Sequence, residues 1–538
     1  MSINLTKLDD KLSVTGQISL SDVHEIAESG YKAIICNRPD FEGGADQPTS
    51  EQLGELAKSL GIVFVYLPVE IGAVTVEHGE KFKELINALP APILAFCASG
   101  KRATALHRLA TQSASNYQQP VSDACNWGNA FDVVIIGGGS AGIGVAASLL
   151  KRRSSLRIAI IEPSDKHYYQ PAWTLVGGGA YDIAATVRNM SEVIPPSAEW
   201  IQVAAASFDP DKNRVNLADG RAIGYRQLIV CPGIRLAWEK IEGLEETLGK
   251  NGVTSNYAYK LAPYTWSLVQ NLKKGKALFT QPPMPIKCAG APQKAMYLSC
   301  DHWQRNQNLD NIDVEFNTAG AVLFGVADFV PPLMEYVKRY HAKLAFNSNL
   351  VSVNGAKKTA CFEIKDGNGN VQRVEKSFDM LHVTPPQMAP DFLRNSPLAD
   401  ANGFCEVDQK TLRHPRYSNI FSLGDACSSP NAKTAAAIRK QIVVVAENML
   451  AEKEGRDLTT IYDGYGACPL TVENGKVVMA EFGFGGKLLP SLPLKATNPS
   501  RIAWLLKAKF FPWLYWNGML KGREWQARSS KSNSNPPN

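Results

Sequence analysis

Two loops in this sequence have residue types and spacing suited to holding an anion. The first is Gly137-Gly138-Gly139-Ser140-Ala141-Gly142, a GxGxxG pattern set between an apolar run and a helical one. Gly137 permits a tight turn, Gly139 lets the backbone approach a pyrophosphate, and Gly142 lets helix pack on strand. Ser140 and Ala141 open the helix, whose N-terminus then faces the phosphates. The second loop is Cys97-Ala98-Ser99-Gly100-Lys101-Arg102. A cysteine at a strand end, ringed by backbone N–H groups and followed by a helix, sits where a thiolate and an anion in front of it are both favoured.

The elements that must position these loops fall into two α/β patterns. Residues 1–112 alternate strand-like runs at 33–36, 63–66 and 93–96 with helical patterns at 21–28 and 50–59. Residues 113–129 (SASNYQQPVSDACNWGN) are polar, rich in turn formers and without a period, which reads as a linker. The second pattern spans 130–490. Its strand Asp132–Ile136 runs into the glycine loop, and a further strand, Arg157–Ile161, ends in Glu162, twenty residues after Gly142. A carboxylate there can accept from ribose hydroxyls, so the loop reads as a dinucleotide site rather than a bare turn. Residues 491–527 turn aromatic and basic, and 528–538 are too polar to fold.

Composition agrees with several folded domains: 538 residues, 45% hydrophobic and 20% charged. A net charge of +6 does not demand nucleic acid, and none is expected as a partner. The start, MSINLTKLDDKL, has no basic stretch followed by an apolar one, so no secretory signal is expected. Ten cysteines form no dense framework, and they are expected to be free for chemistry in a reducing compartment. No metal site is expected.

Later segments point to a flavin. Tyr225–Gly233 resembles the strand-and-glycine element that returns the chain to the cofactor in two-dinucleotide flavoproteins. Leu423-Gly424-Asp425 resembles their other signature, in which the aspartate contacts the ribityl chain and the next helix points its N-terminus at the ring. Five segments then carry a narrower resemblance: Glu162-Pro163-Ser164, Tyr169–Gly177 (YQPAWTLVG), Lys287–Lys294 (KCAGAPQK), His382–Pro386 and Lys433–Ala437. From Phe131 to Trp525 the chain resembles the mitochondrial-type branch of the sulfide:quinone oxidoreductases. The fold expected is a cysteine-loop phosphatase-like α/β domain, then a two-dinucleotide (Rossmann) flavoprotein, then an amphipathic membrane-binding segment.

The resemblance implies FAD as cofactor, with Glu162 and Gln170 binding it, Ala205 meeting the adenine through its backbone, and Asp391, Lys433 and Thr434 near the flavin. It implies hydrogen sulfide as substrate, oxidised through a cysteine disulfide or persulfide, and a ubiquinone-type quinone as acceptor. The sulfur passes to glutathione, sulfite or cyanide, and there is room for a homo-oligomer. Cys288 becomes one redox cysteine. The other is expected at Cys427, one residue later than the family's place directly after the aspartate. Lys287 and the helix dipole ahead of Cys427 are the expected thiolate stabilisers. Cys231, Cys300, Cys361, Cys405 and Cys468 read as core residues.

A physical argument bears on the nearest rival, an NADH:quinone reductase. Such an enzyme needs a second phosphate loop after the strand at 277–280. That strand leads instead into Gln281-Pro282-Pro283-Met284-Pro285-Ile286-Lys287-Cys288, with three prolines and no GxGxxG. Proline lacks the N–H groups that cradle a pyrophosphate. A flavoprotein without turnover, acting as redox sensor or scaffold, is a third class, against which the cysteines count.

Residues 501–523 mix bulky aromatics with lysine and arginine, as segments at membrane interfaces do. A peripheral, monotopic protein on the cytoplasmic face of a bacterial inner membrane is the expected setting. An ordinary amphipathic helix pair packed on the body is the alternative. In the first domain Arg102 lies five residues after Cys97, where the tyrosine-phosphatase loop needs six. That shorter ring resembles rhodanese loops, and the domain, including Asn37-Arg38-Pro39-Asp40, resembles a phosphatase-like family fused to sulfur-metabolism enzymes. Sulfur transfer through an exposed Cys97 is preferred over phosphatase chemistry, for which no general acid stands out.

Overall fold

The computed structural model describes residues 5–42, 44, 46–69, 76–98, 100–111, 130–430, 433–491, 495–525 and 527. The expected linker (113–129) and tail (528–538) lie outside them. The chain divides into two compact units, Met1–Ala130 with Val203–Ile223, and Phe131–Gln202 with Gly224–Asn538.

The first unit is built on a five-stranded sheet in the order Thr6–Lys7, Leu12–Thr15, Ile93–Phe96, Ala33–Cys36, Val63–Tyr66. All neighbours are parallel except the first pair. Ile93–Phe96 and Ala33–Cys36 are apolar at every position because the central strands of a parallel sheet are covered on both faces. Helices Leu20–Glu28 and Ser50–Ser59 each begin with a capping box, Ser19 with Asp22 and Thr49 with Gln52, so both boundaries are written in local sequence. The unit also holds the hairpin Ala205–Asp209 with Arg214–Leu217.

In the second unit, Ala198–Ile201, Ile158–Ile161, Phe131–Ile136, Ala222–Val230 and Ile420–Ser422 lie side by side, all parallel. Phe131–Ile136 runs directly into the glycine loop and the helix Ser140–Arg152. A second parallel sheet takes the order Val253–Thr254, Met380–His382, Gly275–Gln281, Ile312–Thr318, Lys343–Ala345. The helix Ala291–Arg305 comes after Gly275–Gln281 through the proline-rich loop.

Against that helix packs the hairpin Gly466–Glu473 with Lys476–Phe482; Phe279, Met296, Trp303, Leu470 and Val478 share one core. Asn474-Gly475 closes the hairpin, with Gly475 at φ +104°, a backbone conformation few other residues accept. The C-terminal segment forms Arg501–Leu505, a π-helical turn Leu506–Phe510, and Phe511–Asn517. Its inner face is buried at Ala503, Lys507, Ala508, Tyr515 and Trp516. Among the described residues no helix is long and apolar enough to cross a membrane.

Candidate functional site

Steric limits fix the glycine loop. Gly137 has φ +105°, and a Cβ there would sit 2.5 Å from the Cys231 carbonyl oxygen. A Cβ on Gly142 would lie 1.9 Å from the Gly137 oxygen, whereas Gly139, the N-cap of the Ser140–Arg152 helix, faces open space. That is the cradle a pyrophosphate needs: crowded where helix meets strand and bare where backbone must approach. Glu162 accepts hydrogen bonds from the backbone N–H of Gly138 and of Ser164, both at 2.8 Å, which holds the acid at the loop. Ala141 is buried at the helix start. Ser140 donates to the Tyr515 hydroxyl at 2.6 Å, Tyr515 to His167 Nε2 at 2.6 Å, and His167 Nδ1 to the Gly138 carbonyl at 3.0 Å. This polarity arises because burial pushes the His167 pKa down to about 4, leaving a neutral ring. Gly142→Ala should therefore shift the loop. Overpacking costs about 1–3 kcal/mol, so flavin affinity should fall about 5- to 150-fold, read by fluorescence of released flavin.

The second signature forms a turn, Gly424–Ala426. Asp425 is half-buried, its Oδ1 is shut off from solvent with no hydrogen-bond partner among the described residues, and desolvation raises its pKa while Lys433 and Lys287 pull it down. A carboxyl with a spare, shielded acceptor fits the ribityl hydroxyl expected there. Gly424 N–H donates to Gln441 Oε1 at 2.8 Å, and Lys433 Nζ donates to the carbonyls of Asp425 at 2.8 Å and Cys427 at 3.0 Å. Thr434 caps the helix Ala435–Lys453. Cys288 N–H donates to the Lys433 carbonyl at 2.9 Å, which stitches the cysteine loop to the flavin turn. Gln170 is exposed and accepts from Lys287 Nζ. Asp391 is exposed at the start of the helix Asp391–Arg394, 3.9 Å from Arg235 and 3.8 Å from Arg394. Ala205 opens a strand of the other compact unit.

The redox pairing expected from sequence needs correction. Cys288 Sγ lies 3.5 Å from Cys468 Sγ, in the hairpin strand, and not beside Cys427. Cys427 is fully buried among Ile, Leu and Val side chains, its thiol donates to the Gly424 carbonyl at 3.1 Å, and burial raises its pKa. The one-residue offset therefore turns Cys427 into the core. The stabilising cation also differs. Lys294 Nζ lies 3.2 Å from Cys288 Sγ and 3.8 Å from Cys468 Sγ. Lys287 instead reaches Gln170 and stacks near Trp173 and Tyr257, and burial brings its pKa down to about 8. Cys288 has φ +50°, a strained backbone for a residue with a side chain.

The two sulfurs divide the labour of one proton. A hydrogen bond from Cys468, then Lys294 and Lys507, hold the Cys288 thiol well below its ordinary range despite burial. Cys468, donating that hydrogen bond, is pushed well above it. When the reduced pair loses one proton, the charge therefore falls on Cys288 and the remaining proton on Cys468. Sequence carried one signal for Lys294, its place at the end of KCAGAPQK on the first turn of the helix. Cys468 had none of that kind, being one position in a strand buried almost throughout.

In the first unit Cys97 ends the central strand and is fully buried, against the exposure expected of a sulfur acceptor. Arg102 Nη2 lies 2.6 Å from Glu42 Oε2, and Arg102 also donates to Glu42 Oε1 at 2.8 Å. Arg38 shares the same carboxylate at 2.8 Å.

A strand–glycine–helix cradle, a buried aspartate turn and a thiol pair beside it together define a flavin-dependent disulfide oxidoreductase. The pyridine nucleotide-disulphide oxidoreductase family model matches residues 131–271, and the phosphatase-like domain of the beta-lactamase hydrolase-like protein matches residues 4–114. The mitochondrial sulfide:quinone oxidoreductase of Mus musculus is 39% identical over 415 residues, 77% of this chain and 92% of its own length. That of Dictyostelium discoideum is 42% identical over 398 residues, 73% of this chain and 87% of its own. The crystal structure of the sulfide:quinone oxidoreductase from Aquifex aeolicus aligns with a TM-score of 0.60 at 21% identity, over 72% of this chain and 91% of that one, which supports the fold. The chain belongs to the sulfide:quinone oxidoreductase family.

Proposed function

We propose that the chain oxidises hydrosulfide through a Cys288–Cys468 disulfide and passes two electrons by way of FAD to a ubiquinone-type quinone. The single observation that carries this reading is the 3.5 Å pair of sulfurs with Lys294 against both. Gly137, Gly139, Gly142, Glu162, Asp425, Lys433 and Thr434 would hold the FAD, which supplies a two-electron acceptor when bound. Hydrosulfide attacks Cys468 sulfur, an S–S bond forms there as the disulfide bond to Cys288 breaks, and the electron pair leaves on Cys288. Cys288 is the better leaving group because its thiol is the more acidic of the two. Cys468 then carries the persulfide. Its outer sulfur leaves to a small nucleophile such as glutathione, sulfite or cyanide, restoring the Cys468 thiolate, and the two thiolates, whose sulfurs lie 3.5 Å apart, rejoin as the disulfide with release of the two electrons that bound FAD would accept. Lys294, which lies against both sulfurs, stabilises the charge on each in turn.

Anaerobic titration tests the route. Sulfide added with excess sulfite as sulfur acceptor should bleach the flavin absorbance at near-stoichiometric addition, whereas NADH at micromolar levels should leave it unchanged. Rapid bleaching by NADH would instead favour an NADH:quinone reductase. The C-terminal segment supports peripheral association with the cytoplasmic face of a bacterial inner membrane, where quinone dissolves. For the first domain the six-residue ring supports sulfur transfer by Cys97.

A further inference from the structure

The C-terminal segment has two faces, and the buried one packs on the hairpin that carries Cys468 and the helix that carries Lys294. Outward, Ile502 (57% exposed), Leu505 (59%), Phe510 (43%) and Trp513 (48%) form an apolar face. Exposed Arg501, Lys509, Lys521 and Arg523 flank it, a composition that fits an anionic lipid surface and no aqueous role. Inward, Ala503 packs on Val477 and Met479, in the strand paired with the one carrying Cys468. Ala508 packs on Leu298, one helical turn beyond Lys294. Between these two anchors, within the π-helical turn, Lys507 is 6% exposed. Turns of this kind re-aim a side chain locally.

The charged and titratable groups acting on Lys507 are Lys294, Cys288 and Cys468; burial and then Lys294 bring its pKa down to about 7, and the two sulfurs oppose them. Cys288 in turn faces Lys294 from its helix, Cys468 from the hairpin, Lys507 from the C-terminal segment, and Lys287, Tyr257 and Asp425 from the flavin side. A second buried ammonium within electrostatic reach of Lys294 is costly unless an anion offsets both. The Cys288 thiolate is that anion.

We propose that Lys507 is a positioning residue carried by the lipid-docking segment, and that seating this segment on a membrane and forming the Cys288 thiolate favour each other. This rests on the proposed function, in which the segment docks on lipid and Cys288 is the redox thiolate. The physical basis is linkage: lipid that binds the seated segment stabilises the Lys507 position, and whatever stabilises that position stabilises the thiolate.

The test uses the reduced holoprotein and vesicles of phosphatidylcholine with phosphatidylglycerol, reading the pH profile of Cys288 alkylation by iodoacetamide. Vesicles should move the native profile to lower pH. Lys507→Met should move the lipid-free profile up by about one pH unit and abolish the vesicle effect while still pelleting with vesicles. Lys507→Arg should restore the native profile. Leu505→Gln with Trp513→Gln should lose pelleting and the vesicle effect yet keep the native lipid-free profile. A native profile in Lys507→Met overturns the proposal. Where Lys507→Met does not fold, the native chain decides. It should bind vesicles about fivefold or more tightly with Cys288 as thiolate than after alkylation, and equal affinity overturns the coupling. Failure of sulfide to reduce the flavin, with these profiles intact, would count against the proposed activity and not against the coupling.

Discussion

Replacing Cys288 or Cys468 by serine should lower sulfide-dependent flavin reduction to below about one-thousandth of native, because either loss removes the sulfur that the other must exchange with. Flavin should stay bound, since the cradle residues Gly137, Gly142 and Asp425 contain neither cysteine. Cys427→Ser makes the contrast. Its thiol donates to the Gly424 carbonyl in a packed apolar setting, and a hydroxyl can keep that bond. The expected cost is about 1 kcal/mol of stability, with turnover near native. Stopped-flow reduction and a thermal melt read both outcomes together. Near-native reduction in Cys468→Ser, or its loss in Cys427→Ser, would restore the pairing first expected from the sequence.

Lys294→Met should have the next largest effect. Its ammonium is 3.2 Å from Cys288 Sγ, and the two sulfurs raise its own pKa despite full burial, so it is charged across the neutral range. Removing an opposite charge at contact distance raises a thiol pKa by about 1–3 units. Cys288 is held low in the native chain, so its thiolate is present above that low pKa and is lost only as pH falls through it. In Lys294→Met the loss begins at higher pH, and at pH values below the native Cys288 pKa reduction should slow by up to about tenfold for each unit by which that pKa rises. The deficit should shrink as pH rises. A deficit independent of pH would mean that Lys294 acts by packing alone.

Much of the fold was legible because its signals are local. Strands 33–36 and 93–96 were apolar runs long enough for buried parallel strands, 63–66 was an equally apolar run that forms the half-exposed edge strand, and Ser50 to Ser59 carried its own capping box. The glycine loop was equally plain, since each glycine answers a steric demand set within a few residues. The cysteine pair was not legible in that way. Cys468 lies 180 residues beyond Cys288 in a hairpin whose strands are buried almost throughout, and the packing of that hairpin on the Ala291–Arg305 helix brings the sulfurs together. Cys427 misled because its distance along the chain from Asp425 was short while its side chain points into the core. Lys507 was hidden for a related reason: in an aromatic and basic segment one more lysine reads as surface charge.

If sulfide sulfur enters at Cys468 and leaves Cys288 as the thiolate, the two cysteines should end the first half-reaction in different chemical states. Mass spectrometry distinguishes them in protein treated anaerobically with one equivalent of sulfide, then alkylated and digested. The expected result is an extra sulfur on the Cys468 peptide and a simple alkyl adduct on the Cys288 peptide. An extra sulfur on the Cys427 peptide, with Cys468 unmodified, would contradict this order of sulfur entry.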